Sequence, residues 1–74
     1  MYIVIELQTI NGVCSTLTYQ FETQALAEQK YYTILSAAAV SQVDVHAAVV
    51  MTNAGYVERR EVYIHNTNTP EPEN

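Results

Sequence analysis

Only one stretch of this chain has helical periodicity, and alternating segments flank it on both sides. At 100° per residue Ala27, Tyr31, Ile34, Leu35 and Ala38 fall within one stripe, while Gln29, Tyr32, Thr33 and Ser36 face away. One stripe can cover one sheet face, so a sheet built by the flanking segments keeps its second face open. Thr23 is the natural N-cap, because its hydroxyl can accept an orphan amide proton two or three residues on. The helix is expected to run to about Val40 and to end at Ser41-Gln42.

Residues 2–9 alternate, with Ile3, Ile5 and Leu7 on one face and Tyr2, Val4, Glu6 and Gln8 on the other. Asn11-Gly12 marks a turn, and the segment 13–21 resumes with Val13, Leu17, Tyr19 and Phe21. A two-residue loop would set Ile5 against Thr18 and Leu7 against Thr16. A three-residue loop, Ile10-Asn11-Gly12 with Gly12 as a left-handed bulge, instead faces Ile5 to Leu17 and Ile3 to Tyr19, and is the expectation here.

After the helix, residues 43–52 place Val43, Val45, Ala47, Val49 and Met51 on one face and Asp44, His46, Ala48 and Val50 on the other. Asn53-Ala54-Gly55 is a turn, and residues 56–65 form the last strand, read with Val62 and Ile64 inward and Arg59, Glu61 and Tyr63 outward. The expected fold is α+β, a ββαββ domain over residues 1–65. Its four-stranded antiparallel sheet has the order 2-1-3-4, with a right-handed crossover and the helix on one face. Ile3, Ile5 and Leu7 are expected beneath the helix. Tyr2, Val4, Glu6, His46, Ala48 and Val50 are expected on the open face. Residues 66–74 carry two prolines and no apolar side chain, so they are expected to form a disordered tail.

Seventy-four residues support one core with a narrow margin of stability. Cys14 is the single cysteine, so no disulfide can form within the chain, and one thiol with two separated histidines is too few ligands for a structural zinc site. A hydrophobic fraction of 49% with 15% charged residues favours self-association. A net charge of −5 argues against binding DNA or RNA through phosphates. No signal peptide or membrane-spanning run is visible, so a cytoplasmic protein is expected.

At Glu28-Gln29-Lys30-Tyr31, Leu35, Ala37-Ala38-Ala39-Val40-Ser41 and Val45-His46-Ala47 the chain resembles a family of very short uncharacterised proteins encoded by phages and prophages of Gram-positive gut bacteria. The resemblance extends over residues 1–65. It implies a phage protein acting in the cytoplasm of an infected bacterium, and it brings no activity with it.

The candidate ligand-binding residues are His46, Arg59, Arg60, Lys30, Tyr2 and Tyr63. An imidazole can read a ligand, an arginine fork suits phosphate or carboxylate, and tyrosine offers a stacking surface. Val4, Ala48, Val50 and Tyr32 are candidates for an interface between copies. No catalytic residue, metal or cofactor is expected, because acid, base and nucleophile types are scattered over separate elements. These features together point to a non-enzymatic homo-oligomer that sequesters a small anionic, nucleotide-type ligand. The alternative is a module that docks on another protein through its open sheet face.

Overall fold

Alternation yields strands and the single stripe yields the helix in the computed structural model, which describes residues 1–65. The expected tail, residues 66–74, lies outside the described residues. The elements are β1 (Tyr2–Ile10), β2 (Val13–Phe21), α1 (Gln24–Ala38), β3 (Val45–Thr52) and β4 (Val57–Ile64). All strand pairs are antiparallel and the order is β2-β1-β3-β4, the α+β arrangement expected from the sequence.

The first turn differs from the expectation. Ile10 opposes Val13 and Ile5 opposes Thr18, so the loop is the two-residue Asn11-Gly12. Both loop residues have positive φ, 53° and 81°. That is the requirement of a type I′ turn, whose twist matches that of the strands it joins, and asparagine and glycine enter this region at least cost. The apolar-against-polar pairs that argued for a longer loop are tolerated because Thr16 and Thr18 lie exposed on an edge strand. The three-residue device occurs at the second hairpin instead. There Gly55, at φ 94°, donates to the Thr52 carbonyl at 3.0 Å, and the Thr52 amide donates to Tyr56 O at 2.8 Å.

One residue of loop length turns β1 over. Chirality ties the direction of a residue's N–H and C=O groups to the direction of its Cβ, so changing which β1 residues bond to β2 exchanges the two faces. The residues group as the alternation indicates: Ile3, Ile5 and Leu7 share a face with Met51, Val49, Ala47 and Val62, and Val4 and Glu6 with Val50 and Ala48. The helix, however, covers the second group. Val4 is 0% and Val50 1% exposed, packed with Ala48, Ala27, Tyr31 and Ile34. The expectation that Tyr2, Val4, Glu6, Ala48, Val50 and His46 lie on the open face is therefore corrected, and with it the facing of β4. These residues and Arg59, Glu61 and Tyr63 are on the helix side, and Ile3, Ile5, Leu7, Ala47, Val49, Met51, Val62 and Ile64 are on the uncovered side.

The helix stripe is the expected one, with Ala27, Tyr31, Ile34 and Ala38 buried and Leu35 packed at the margin. Thr23 Oγ accepts from the Leu26 amide at 3.3 Å, capping the N-terminus. Regular helix ends at Ala38, and the chain leaves through i→i−3 bonds from Val40 and Ser41 to the carbonyls of Ala37 and Ala38. No glycine closes this end. His65 adds a second partner across space, its Nε2 bonding the Ala38 carbonyl at 2.7 Å beside the Ser41 amide.

Adjacent positions on β3 test the facing directly. Val50→Ala should lower the unfolding free energy by about 2 kcal/mol, and Val49→Ala by clearly less, in urea titrations of dilute protein. The opposite ranking would put the helix on the other face.

Candidate functional site

Three places gather the residues with chemistry. The first lies under the C-terminal end of α1. His46 Nε2 is 2.6 Å from Glu6 Oε2, and its Nδ1 is 3.1 Å from Ser41 Oγ. Gln8 donates to the same Glu6 oxygen at 2.9 Å. An ionised carboxylate only accepts, which places a proton on Nε2 facing Glu6 and leaves Nδ1 to the Ser41 hydroxyl. The His46 and Glu6 side chains are only 5% and 13% exposed.

This order of serine, imidazole and carboxylate has the parts of a nucleophilic relay but not its electrostatics. The Ser41 amide is already bonded to Ala38 O at 3.3 Å. A helix C-terminus also presents carbonyls, the wrong polarity for a developing oxyanion. The arrangement is a tie, fastening the helix exit to β1 and β3. A neighbouring tie comes from Asp44, whose carboxylate accepts the Asn11 amide at 2.9 Å and so holds the first turn against the start of β3.

The second place is the helix flank. Arg59 Nε donates to Glu28 Oε2 at 3.0 Å. This bond, with a second from Gln24, holds the Glu28 carboxyl below its usual range and raises Arg59 in return. Lys30 Nζ sits 4.2 Å above the centre of the Tyr19 ring. Tyr2 packs partly buried against the core. Tyr63 lies parallel to His65 at 6.3 Å, and exposed Tyr32 meets the Tyr31 ring edge-on at 5.2 Å.

Burial raises the Tyr31 phenol above its ordinary 10.0, with the Glu61 charge adding to the effect. Folded protein therefore keeps a proton that the unfolded chain has lost. This stabilisation is whole below pH about 10 and is lost as pH rises through the folded value.

The third place is the open sheet face. A shallow depression of about 820 Å³ is lined by Leu7, Val45, Ala47, Val49 and Val62, with Arg60 on the β4 side and Thr9 and Cys14 toward the β2 side. Arg60 pairs with Val49 in register and makes no ion pair with a described residue. Among the described residues, the register-paired positions of this face hold no other charge.

The expected ligand residues therefore do not converge. His46, Arg59, Lys30 and Tyr63 lie on the helix side and have partners of their own, and Arg60 alone faces the open side. Among the described residues there is no group of three or more histidines, cysteines or acids able to hold a metal ion. No described helix is long and apolar enough to cross a membrane. No family model, curated protein or solved structure matches the chain.

Sequence reasoning missed the pairing of His46 with Glu6 and Ser41, and it missed the apolar open face. The register of a two-residue loop would have signalled both, since it sets Glu6 and His46 under the helix together.

Removing one partner of the tie leaves a shielded carboxylate poorly compensated. His46→Ala should cost about 2 kcal/mol, as for a hydrogen bond to a charged group, whereas Ser41→Ala should cost about 1 kcal/mol, both read from urea midpoints. On the alkaline side, Tyr31→Phe should flatten the loss of stability above pH about 10 relative to wild type. Parallel alkaline limbs would contradict the assignment to Tyr31.

Proposed function

We propose that this chain is a phage-encoded, non-enzymatic protein that assembles with itself through the open face of its sheet. In this reading it holds a small anionic, nucleotide-type ligand in the cytoplasm of an infected bacterium, where sequestering a host defence signal requires no chemistry. The observation that carries the reading is the uncovered face, where Ile3, Ile5, Leu7, Val49 and Met51 form a contiguous apolar surface beside Arg60, which makes no ion pair with a described residue. Apolar patches of such extent on small domains mark association surfaces. The phage setting rests on the family resemblance, and the anionic ligand on Arg60.

A second reading is a module that docks on a host protein. It is favoured by the residues of β4, exposed along the whole strand, and by those of β2, exposed over most of theirs, which leaves edges open to strand addition.

Light scattering over a range of concentrations should give a mass that is a multiple of 8.3 kDa. Ile5→Glu should reduce it to one chain while the circular dichroism stays native. After incubation with nucleotides extracted from challenged host cells, the wild type should retain nucleotide through gel filtration and melt higher than the free protein. A wild-type protein that is monomeric at every concentration and retains no nucleotide would sink the reading.

A further inference from the structure

We propose that the depression beside Arg60 binds a phosphate-bearing small molecule, and that a second copy of the chain, seated face to face, completes the site. The inference rests on the self-association reading above and adds that the ligand site is shared between two copies, with the geometry that joins them.

Ligand pockets commonly measure about 300–1,000 Å³, and the depression of about 820 Å³ is within that range. Its floor is apolar, suited to the flat face of a base. Its cation is Arg60, whose planar fork matches phosphate oxygens. The depression is open above, so a bound ligand would remain in contact with water unless something covers it.

The cover best matched to this face is another copy of it. Four strands about 4.8 Å apart and eight or so residues long present roughly 500 Å² in projection, so two copies bury about 1,000 Å², at the lower limit for a specific interface. Charge points the same way. The chain carries −5 overall, yet the paired positions of this face carry only the positive Arg60, so copies that meet here meet on their least acidic side. Glu58, in the bulge between Val57 and Arg59, and Glu61, which also lines the depression, are the nearest acids, and neither pairs with Arg60. The tail sequence, residues 66–74, has Glu71 and Glu73 but no apolar side chain, so it could offer charge without covering the floor.

A face-to-face pair would bring together two guanidinium groups, neither paired with a described carboxylate, which is unfavourable unless an anion joins them. Arg60 lies in the second of four register rows, level with Ile5, Thr18 and Val49. A two-fold axis running across the strands would offset the two Arg60 positions by about 7 Å along the strands, with the sheets about 10 Å apart. Two arginine side chains span that gap around one phosphate group.

Sedimentation equilibrium of the full chain in chloride buffer, with and without pyrophosphate at matched ionic strength, tests this. Wild type should dimerise about tenfold more tightly with pyrophosphate. Arg60→Leu should dimerise more tightly than wild type in chloride alone and ignore pyrophosphate. Arg59→Leu, altered on the helix side, should keep the wild-type response. A dimer indifferent to pyrophosphate, or a response lost in Arg59→Leu and kept in Arg60→Leu, overturns the inference and leaves self-association standing. A protein monomeric under every condition overturns the reading beneath it.

Discussion

The type I′ turn at Asn11-Gly12 decides which side of the sheet the helix can use, and the rest of the structure follows from that choice. Its two left-handed residues close a loop of even length, so Ile10 meets Val13 and each β1 residue takes a fixed partner on β2. Strand order and the handedness of the connection from β2 through α1 to β3 fix the side on which the helix lies. The turn then fixes which side chains wait there. A loop longer by one residue would exchange Val4 and Glu6 for Ile3 and Ile5 beneath the helix.

That dependence explains what could be read from the sequence. Periodicity identifies residues without reference to handedness, so the helix stripe, the Thr23 cap, the four strands and their order were all legible. On β1, β3 and β4 even the grouping of residues by face was legible, since Ile5 and Val49 share one side and Val4 and Val50 the other; on β2 it was not, because Leu17 and Tyr19 join Glu6 and Val4 rather than Ile5 and Ile3. The side that the helix takes was not, because the usual preference for apolar against apolar across a hairpin outweighed the local preference of Asn-Gly for two left-handed residues. The candidate site inherited the same inversion. Arg60 was grouped with His46, Arg59, Tyr2 and Tyr63, but those residues lie on the covered side and Arg60 does not.

The side chosen also accounts for the polar group under the helix. With Val4 inward, Glu6 and His46 are inward as well, a carboxylate and an imidazole that a small core would ordinarily exclude. They are accommodated because each supplies what the other lacks, and because Ser41 and Gln8 occupy further bonding positions. His65 does comparable work at the Ala38 carbonyl. The end of the helix, which has neither glycine nor a basic residue in its last turn, is thus secured by two histidines delivered from the sheet.

The covered face holds the core, Val4, Ala48 and Val50 against Ala27, Tyr31 and Ile34, with Tyr2, Tyr19, Phe21 and Leu35 packed around it. Ile3, Ile5, Leu7, Val49 and Met51 lie on the other side, each partly buried by its neighbours. Apolar area contributes about 25 cal/mol per Å² only when it leaves water, so the part of these side chains that is still exposed is stabilisation a single copy does not use. Association through that face would recover it, and would couple folding and assembly into one equilibrium.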